Sequence, residues 1–315
     1  MITVCGETVA DLVEQGDGDL RAYPGGSPAN VAVALARLGE ATSLAARLGP
    51  DVFGRRMRSH LADNGVDPRH LVEAAEPSTL AVVSFDDERR ATYDFWTQGT
   101  ADWQWSDADL ARHPAPGVVA WHTGSLASWT APGDAAIHRL FERVRASDAC
   151  TLSYDPNVRP LLLGDAGAAR GPIEWLVSLA HVVKVSDEDL GWLCPGEDVA
   201  TIAQQWARLG PGLVVVTLGP DGALAARPER GVVVRVAAPS IDLVDTVGAG
   251  DTFTAGLLHA LRVHDALGAD PLGRLRALSD EDLSGVLDRA TNAAALNCTR
   301  EGCDPPTRAE LDGFG

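Results

Sequence analysis

The sequence predicts an α/β fold with a central, mostly parallel sheet flanked by helices, and a small second sheet. Short β-branched runs alternate with segments of helical apolar spacing along most of the chain. Two segments, 11–24 and 79–96, break that alternation. A glycine-rich stretch, Asp245-Thr246-Val247-Gly248-Ala249-Gly250-Asp251, follows a β-branched run and precedes Phe253, Leu257 and Leu261 at helical spacing.

In chain order, the strand candidates are 2–5, 43–46, 118–122, 151–154, 181–185, 213–218 and 232–236. Helices 30–38 and 53–64 end at Gly39 and Gly65, which stand just past their last turns as C-terminal stops. Helical spacing continues at 134–146, 173–179 and 201–209. Ser279-Asp280-Glu281-Asp282 before Leu283 is a capping-box-like start in which Asp replaces the usual Glu or Gln, and a long helix through Ala295 should follow. The segment 11–24 is short and polar. Thr79 to Trp96 reads as two strands joined by a charged turn, and the two segments together predict the small sheet.

The chain has 315 residues and a formal net charge of −18, from 26 Lys plus Arg against 44 Asp plus Glu. That field repels polyanions and argues against nucleic acid or an acidic membrane as the partner. Cys5, Cys150, Cys194, Cys298 and Cys303 are odd in number and scattered, which predicts reduced thiols rather than a metal site or disulfide framework. The first residues read as a strand and no apolar run reaches bilayer-spanning length, so a cytoplasmic protein is expected.

Gly248 and Gly250 allow positive φ and close backbone approach, so N–H groups at the helix start can face an anion. Asp251 falls in the first turn, where the helix dipole favours its ionised form. A carboxylate beside an anion cradle suits a base that takes a proton from an alcohol attacking a phosphoryl group. By itself, G-x-G-D is met equally by a tight turn with Asp as a cap. Lys184 is the only lysine, and its context Val182-Val183-Lys184-Val185-Ser186 fits neither a Walker loop nor a protein-kinase lysine. Phosphate charge then falls to backbone N–H groups, arginine or a metal.

Residues 245–256, Asp-Thr-Val-Gly-Ala-Gly-Asp-Thr-Phe-Thr-Ala-Gly, resemble the C-terminal signature of the ribokinase-like (PfkB) family of carbohydrate and nucleoside kinases. Residues 25–39, Gly-Gly-Ser-Pro-Ala-Asn-Val-Ala-Val-Ala-Leu-Ala-Arg-Leu-Gly, resemble its N-terminal signature in the fructokinase form. The resemblance implies a Rossmann-like ribokinase fold, one kinase domain over 1–315, with a lid of about 11–24 and 79–103 over the sugar. A lid excludes water that would compete with the sugar hydroxyl. The family also pairs such lids, which implies a homodimer.

By the same resemblance, Asp251 is the base, and Gly248, Ala249 and Gly250 stabilise the developing charge. Asp11, Gly25, Gly26 and Asn30 contact the sugar; taken alone, Asn30 would open the helix as an N-cap and Asp11 would be a turn residue. Asp155-Pro156-Asn157-Val158-Arg159 resembles fructokinases and 2-keto-3-deoxygluconate kinases; Arg159 suits a substrate carboxylate, a phosphate, another loop or, equally, a structural salt bridge, and Asp155 acts at a distance. Thr217, Gly219, Gly222, Thr246, Gly248, Gly250 and Asn292 hold ATP, with Lys184 and Ser186 beside them. Ser186 and Asp189 replace the family's Asn and Glu, so Mg²⁺ at Asp189 is expected through water; as a run, these acids also suit a helix N-terminus. A monovalent cation such as K⁺ is implied near 299–303, where Cys303 departs from the commoner alanine.

The expected reaction is transfer of the ATP γ-phosphoryl to a primary hydroxyl of D-fructose, at O6. The runner-up acceptor is 2-keto-3-deoxygluconate, for whose carboxylate Arg159, Arg89 and Arg90 are candidates; ribose or a nucleoside follows. A non-catalytic sugar or nucleotide sensor is the alternative of another class. Tyr93, Phe95, Trp96, Trp103 and Trp105 are expected to pack or make a dimer contact, and His122 to orient its neighbours.

Overall fold

The computed structural model describes residues 1–15, 18–85 and 91–314. The main sheet has nine strands: β1 (Ile2–Cys5), β4 (Thr42–Leu48), β5 (Leu71–Glu73), β8 (Ala120–Gly124), β9 (Thr151–Asp155), β10 (Val182–Ser186), β11 (Leu213–Thr217), β12 (Ala223–Arg227) and β13 (Gly231–Val236). Their spatial order is β13-β12-β11-β10-β9-β8-β1-β4-β5. The run from β11 to β5 is parallel, whereas β12 and β13 add an antiparallel edge. A second sheet takes the remaining strands β2 (Val9–Glu14), β3 (Leu20–Gly25), β6 (Thr79–Phe85) and β7 (Ala91–Trp96), in the order β3-β2-β6-β7.

Strand β11 shows why the parallel core was readable. Leu213 and Val215 enter one apolar cluster, and Val214 and Val216 the cluster on the other face, so a strand covered on both sides needs an unbroken apolar run. One face is covered by helices Ser27–Arg37, Ala249–Val263 and Asp280–Cys298, the other by Asp134–Ser147, Ala166–Leu179 and Val199–Ala207. Gly256 brings two of these helices together: a Cβ there would lie 2.9 Å from the Ala290 Cα. The capping box forms as expected, with Ser279 and Asp282 satisfying each other's N–H groups.

Several boundaries move. The first helix starts at Ser27 rather than residue 30, because Pro28 fits the first turn, where no N–H bond is needed. Gly26 is its N-cap, so Asn30 lies inside the helix and does not open it. The helix expected at 173–179 starts at Ala166, and β12 and the helix Pro271–Ala277 were not anticipated. Strand β13 ends at Val236, and an irregular stretch separates it from the helix at Ala249, so the glycine turn does not join strand directly to helix.

The second sheet ends at Trp96, and Trp103 and Trp105 are buried in the main body rather than in that sheet. The charged turn with Arg89 and Arg90 lies outside the described residues, as does the Tyr93 side chain. No helix among the described residues is long and apolar enough to cross a membrane.

Candidate active site

The two signature segments meet at one carboxylate. Ser27 Oγ donates to Asp251 Oδ1 at 2.6 Å and Asn30 Nδ2 donates to Asp251 Oδ2 at 2.8 Å. Ser27 and Asn30 are three apart on one helix and so share a face. The early helix start at Ser27 is what aims both at Asp251. Ser27 was not singled out in the sequence; its i, i+3 relation to Asn30 was the available signal.

Gly25 and Gly26 each make room for something specific. A Cβ on Gly25 would stand 2.1 Å from Asp11 Oδ2, and one on Gly26, at φ 97°, 2.7 Å from the Glu7 carbonyl. Asp11 therefore lies against the strand that feeds the first helix. Burial pushes its carboxyl up to about 6, against the pull of Arg159, while Asp251 pushes the same way as burial.

The glycine turn differs from expectation in two respects. Gly248 alone is left-handed, at φ 74°; Gly250 lies in the first helical turn, and its need for glycine is proximity, since a Cβ would approach Lys184 Nζ to 3.1 Å. Ala249 N–H is already taken by the Thr246 carbonyl at 3.1 Å. Among the described residues, the N–H groups of Gly248, Gly250 and Asp251 have no protein acceptor and are the donors of this turn.

Behind the turn lies a buried charge network. Lys184 Nζ donates to Asp155 Oδ2 at 3.0 Å, Thr254 Oγ1 reaches the same oxygen at 3.4 Å, and Asn157 N–H donates to Asp155 Oδ1. Burial works against the Lys184 charge, but Asp155, Asp189 and Asp251 outweigh it and hold its pKa above the ordinary value. Burial raises Asp251 above the usual carboxylate range; its Ser27 and Asn30 bonds and the Lys184 charge pull it back. The lysine that matched neither motif thus sits beside the turn. Thr254, one helical turn after Gly250, was also missed.

Arg159 folds back on its own loop, donating to the Asn157 carbonyl, Asn157 Oδ1 and the Val158 carbonyl at 3.3, 2.7 and 2.9 Å. Its charge still acts on Asp11 and Asp189. Ser186 caps the helix Asp187–Leu193, so the acidic run is a helix N-terminus. Asp189 accepts from Val158 N–H at 3.2 Å, and burial and then Asp155 push it up to about 6. Ser186 and Thr217 are register partners at the C-terminal ends of parallel β10 and β11, the edge where open α/β sheets bind ligands. Gly219 and Gly222 flank the turn from β11 to β12, both at positive φ. Thr246 is exposed and Asn292 partly exposed, and among the described residues neither side chain has a hydrogen bond to the Asp251 group. His122 is buried and pairs with Ser153 Oγ at 3.0 Å, with burial holding its pKa at about 4.

Residues 1–310 match the pfkB family carbohydrate kinase. The chain belongs to the pfkB family of carbohydrate kinases. It is a sugar kinase, a phosphotransferase acting on an alcohol group. This kinase is 36% identical over 266 residues to a fructokinase of Klebsiella pneumoniae, covering 84% of this chain and 85% of the relative. In structure it is similar to a fructokinase double mutant of Vibrio cholerae O395 bound to fructose, ADP and potassium ion, at 30% identity and TM-score 0.83, covering 99% of this chain and 97% of the other. It is also similar to a fructokinase of Xylella fastidiosa with bound ATP, at 26% identity and TM-score 0.87 over 99% and 97% of the two chains.

Proposed function

We propose that this kinase is an ATP-dependent fructokinase that moves the γ-phosphoryl of ATP to O6 of D-fructose in the cytoplasm. One observation carries the reading: Asp251, behind the left-handed Gly248, is held by the sugar-motif helix through both Ser27 and Asn30. The Klebsiella and Vibrio relatives named as fructokinases support the choice of sugar. Asp11, Gly25, Gly26 and Asn30 form the sugar side, covered by the second sheet as a lid.

In the proposed reaction the primary hydroxyl gives its proton to Asp251 as its oxygen attacks the phosphoryl group. The N–H groups of Gly248, Gly250 and Asp251 meet the developing negative charge at the helix mouth. Ala249 shapes this turn through its bond to Thr246. Lys184, anchored by Asp155, balances the carboxylates and pulls the Asp251 pKa back down against burial. Ser186, Thr217, Gly219, Gly222, Thr246 and Asn292 line the nucleotide side.

Beside the turn, Asp155 and Asp189 act on Lys184 and offer carboxylate oxygens, the donor type that suits Mg²⁺. Asp155 is already engaged by Lys184 and Asn157, and Asp189 by Val158, so Asp189 would hold the ion through water. Held there, Mg²⁺ would supply positive charge to offset that of the phosphates. The potassium ion bound by the Vibrio fructokinase supports a monovalent cation in this kinase; the sequence resemblance is what puts it near 299–303, and turnover in KCl above that in an organic-cation chloride is the expected result.

ADP release with fructose and with 2-keto-3-deoxygluconate tests the acceptor. Turnover with the keto acid alone would overturn fructose and move Arg159 into carboxylate recognition. A sensor without turnover is disfavoured by the intact base and its N–H donors. We also propose that the lids pair in a homodimer, because β3 and β7 expose Leu20 and Trp96, each more than half accessible. Sizing should show a dimer that Leu20→Asp/Trp96→Asp converts to monomer; an unchanged elution volume contradicts this interface.

A further inference from the structure

The lid strands leave the body at a buried carboxylate that neither signature contains. Asp102 Oδ1 accepts from Thr8 N–H at 2.7 Å and Thr8 Oγ1 at 3.3 Å, and Asp102 Oδ2 accepts from Thr79 Oγ1 at 2.6 Å. Thr8 immediately precedes β2, and Thr79 is the first residue of β6, the strand that pairs parallel with β2 through Val9 and Thr79. Thr79 Oγ1 also meets Thr100 Oγ1 at 2.6 Å, on the segment leaving β7, and Thr100 Oγ1 donates to the Thr97 carbonyl at 2.9 Å. The fourth crossing, from β3 into the first helix, packs on the same spot through Gly26 and the Glu7 carbonyl.

The carboxylate itself is fixed to the body. Ala101 N–H donates to the Pro77 carbonyl at 2.9 Å and Arg47 Nε to the Ala101 carbonyl at 3.1 Å, while Asp102 is 1% exposed. A cavity of about 20 Å³, lined by Thr8, Val9, Pro24, Phe53 and Met57, lies beside the roots. Asp51 clasps Ser78 through two bonds, but it reaches only the β6 entry. Asp102 is the group that joins the entries of β2 and β6.

We infer that Asp102 is a positioning residue for the sugar side of the site, tying the roots of β2 and β6 together and so setting Asp11 and the Gly25-Gly26 turn over Asp251. The step is mechanical: Asp11 lies three residues beyond Thr8 on β2, and its carboxylate rests on Gly25 of the paired strand. Loosening the root moves Asp11 relative to Asp251, which belongs to the body. The nucleotide side, on β10, β11 and the helix Ala249–Val263, does not pass through this node.

The inference rests on the sugar-kinase reading for its kinetic arm only. Asp102→Ala removes every bond of the clasp and should raise KM for fructose about tenfold or more, leaving KM for ATP within about twofold. Asp102→Asn should restore most of the loss, because its Oδ1 still accepts from Thr8 and its Nδ2 can donate to Thr79 Oγ1, which then donates to Thr100. Should Asp102→Ala not fold, Thr79→Val, which cuts only the β6 root, should show the same split. A second readout needs no sugar: amide hydrogens of β2 should exchange about tenfold faster in Asp102→Ala, with those of the helix Asp280–Cys298 unchanged. Equal rises in both KM values, an Asn variant no better than Ala, or unchanged β2 exchange would each reduce Asp102 to general scaffold. If wild type turns over no sugar while β2 exchange responds as stated, the function proposal falls and the clasp stands.

Discussion

Asp251→Asn is expected to lower kcat by about 10²–10⁴-fold or more while leaving the fold intact. The amide keeps the shape of the carboxylate beside Ser27 and Asn30 but cannot take the hydroxyl proton. Because the change removes a buried charge, a large loss of stability is not expected, and a melting curve within a few degrees of wild type is the control. The pH profile gives an independent check. Burial raises the Asp251 pKa, so its protonated, inactive form persists to higher pH than for an ordinary aspartate. Rate should therefore fall as pH is lowered, with the acid limb of kcat/KM above the usual Asp value of about 3.9. Near-normal turnover in folded Asp251→Asn would remove the base from this account.

Gly248→Ala should cost about 2–4 kcal/mol of stability and most of the activity. Two separable causes combine. The residue sits at φ 74°, where a Cβ costs roughly 1–2 kcal/mol. That Cβ would also lie 2.3 Å from Cys303 Sγ and 2.7 Å from Cys303 Cβ. Relaxing this contact tilts the N–H groups of Gly250 and Asp251 away from the anion position, which is why activity falls with stability. Cys303→Gly removes both colliding atoms, so in the double variant the penalty of Gly248→Ala should shrink to about the φ cost alone, as a double-mutant cycle reads it. Penalties that simply add would show that the collision with Cys303 is not the cause.

The fold was legible where burial leaves a one-dimensional trace. Parallel strands such as Leu213–Thr217 are unbroken apolar runs because both faces are covered, and the Ser279 start carries its cap in the sequence. Strand β12 was not legible, since Ala-Leu-Ala-Ala-Arg has no β-branched residue and owes its state to pairing with β11 and β13. The helix from Ala166 was half missed because its first turns are small residues without periodicity. Gly250 was read as lying between strand and helix at positive φ, whereas it sits in the first helical turn, where a Cβ would come within 3.1 Å of Lys184 Nζ.

At the site, Asp251, Asn30, Asp11 and Gly25 were named and the structure brings them together. Ser27 and Thr254 were not, because a short hydroxyl inside a motif looks like spacing until its partner is known. Asp102 lies in an ordinary Ala-Asp-Trp and acquires meaning only when 8 and 79 converge on it in three dimensions, with 100 against 79.

The most direct test of the central claim is ADP release from ATP and Mg²⁺ by the purified chain, with D-fructose against ribose, adenosine, 2-keto-3-deoxygluconate and no acceptor. The account predicts turnover that depends on fructose and stays near background without an acceptor. ADP release equal with and without every acceptor, or none at all, would contradict a sugar kinase built around Asp251.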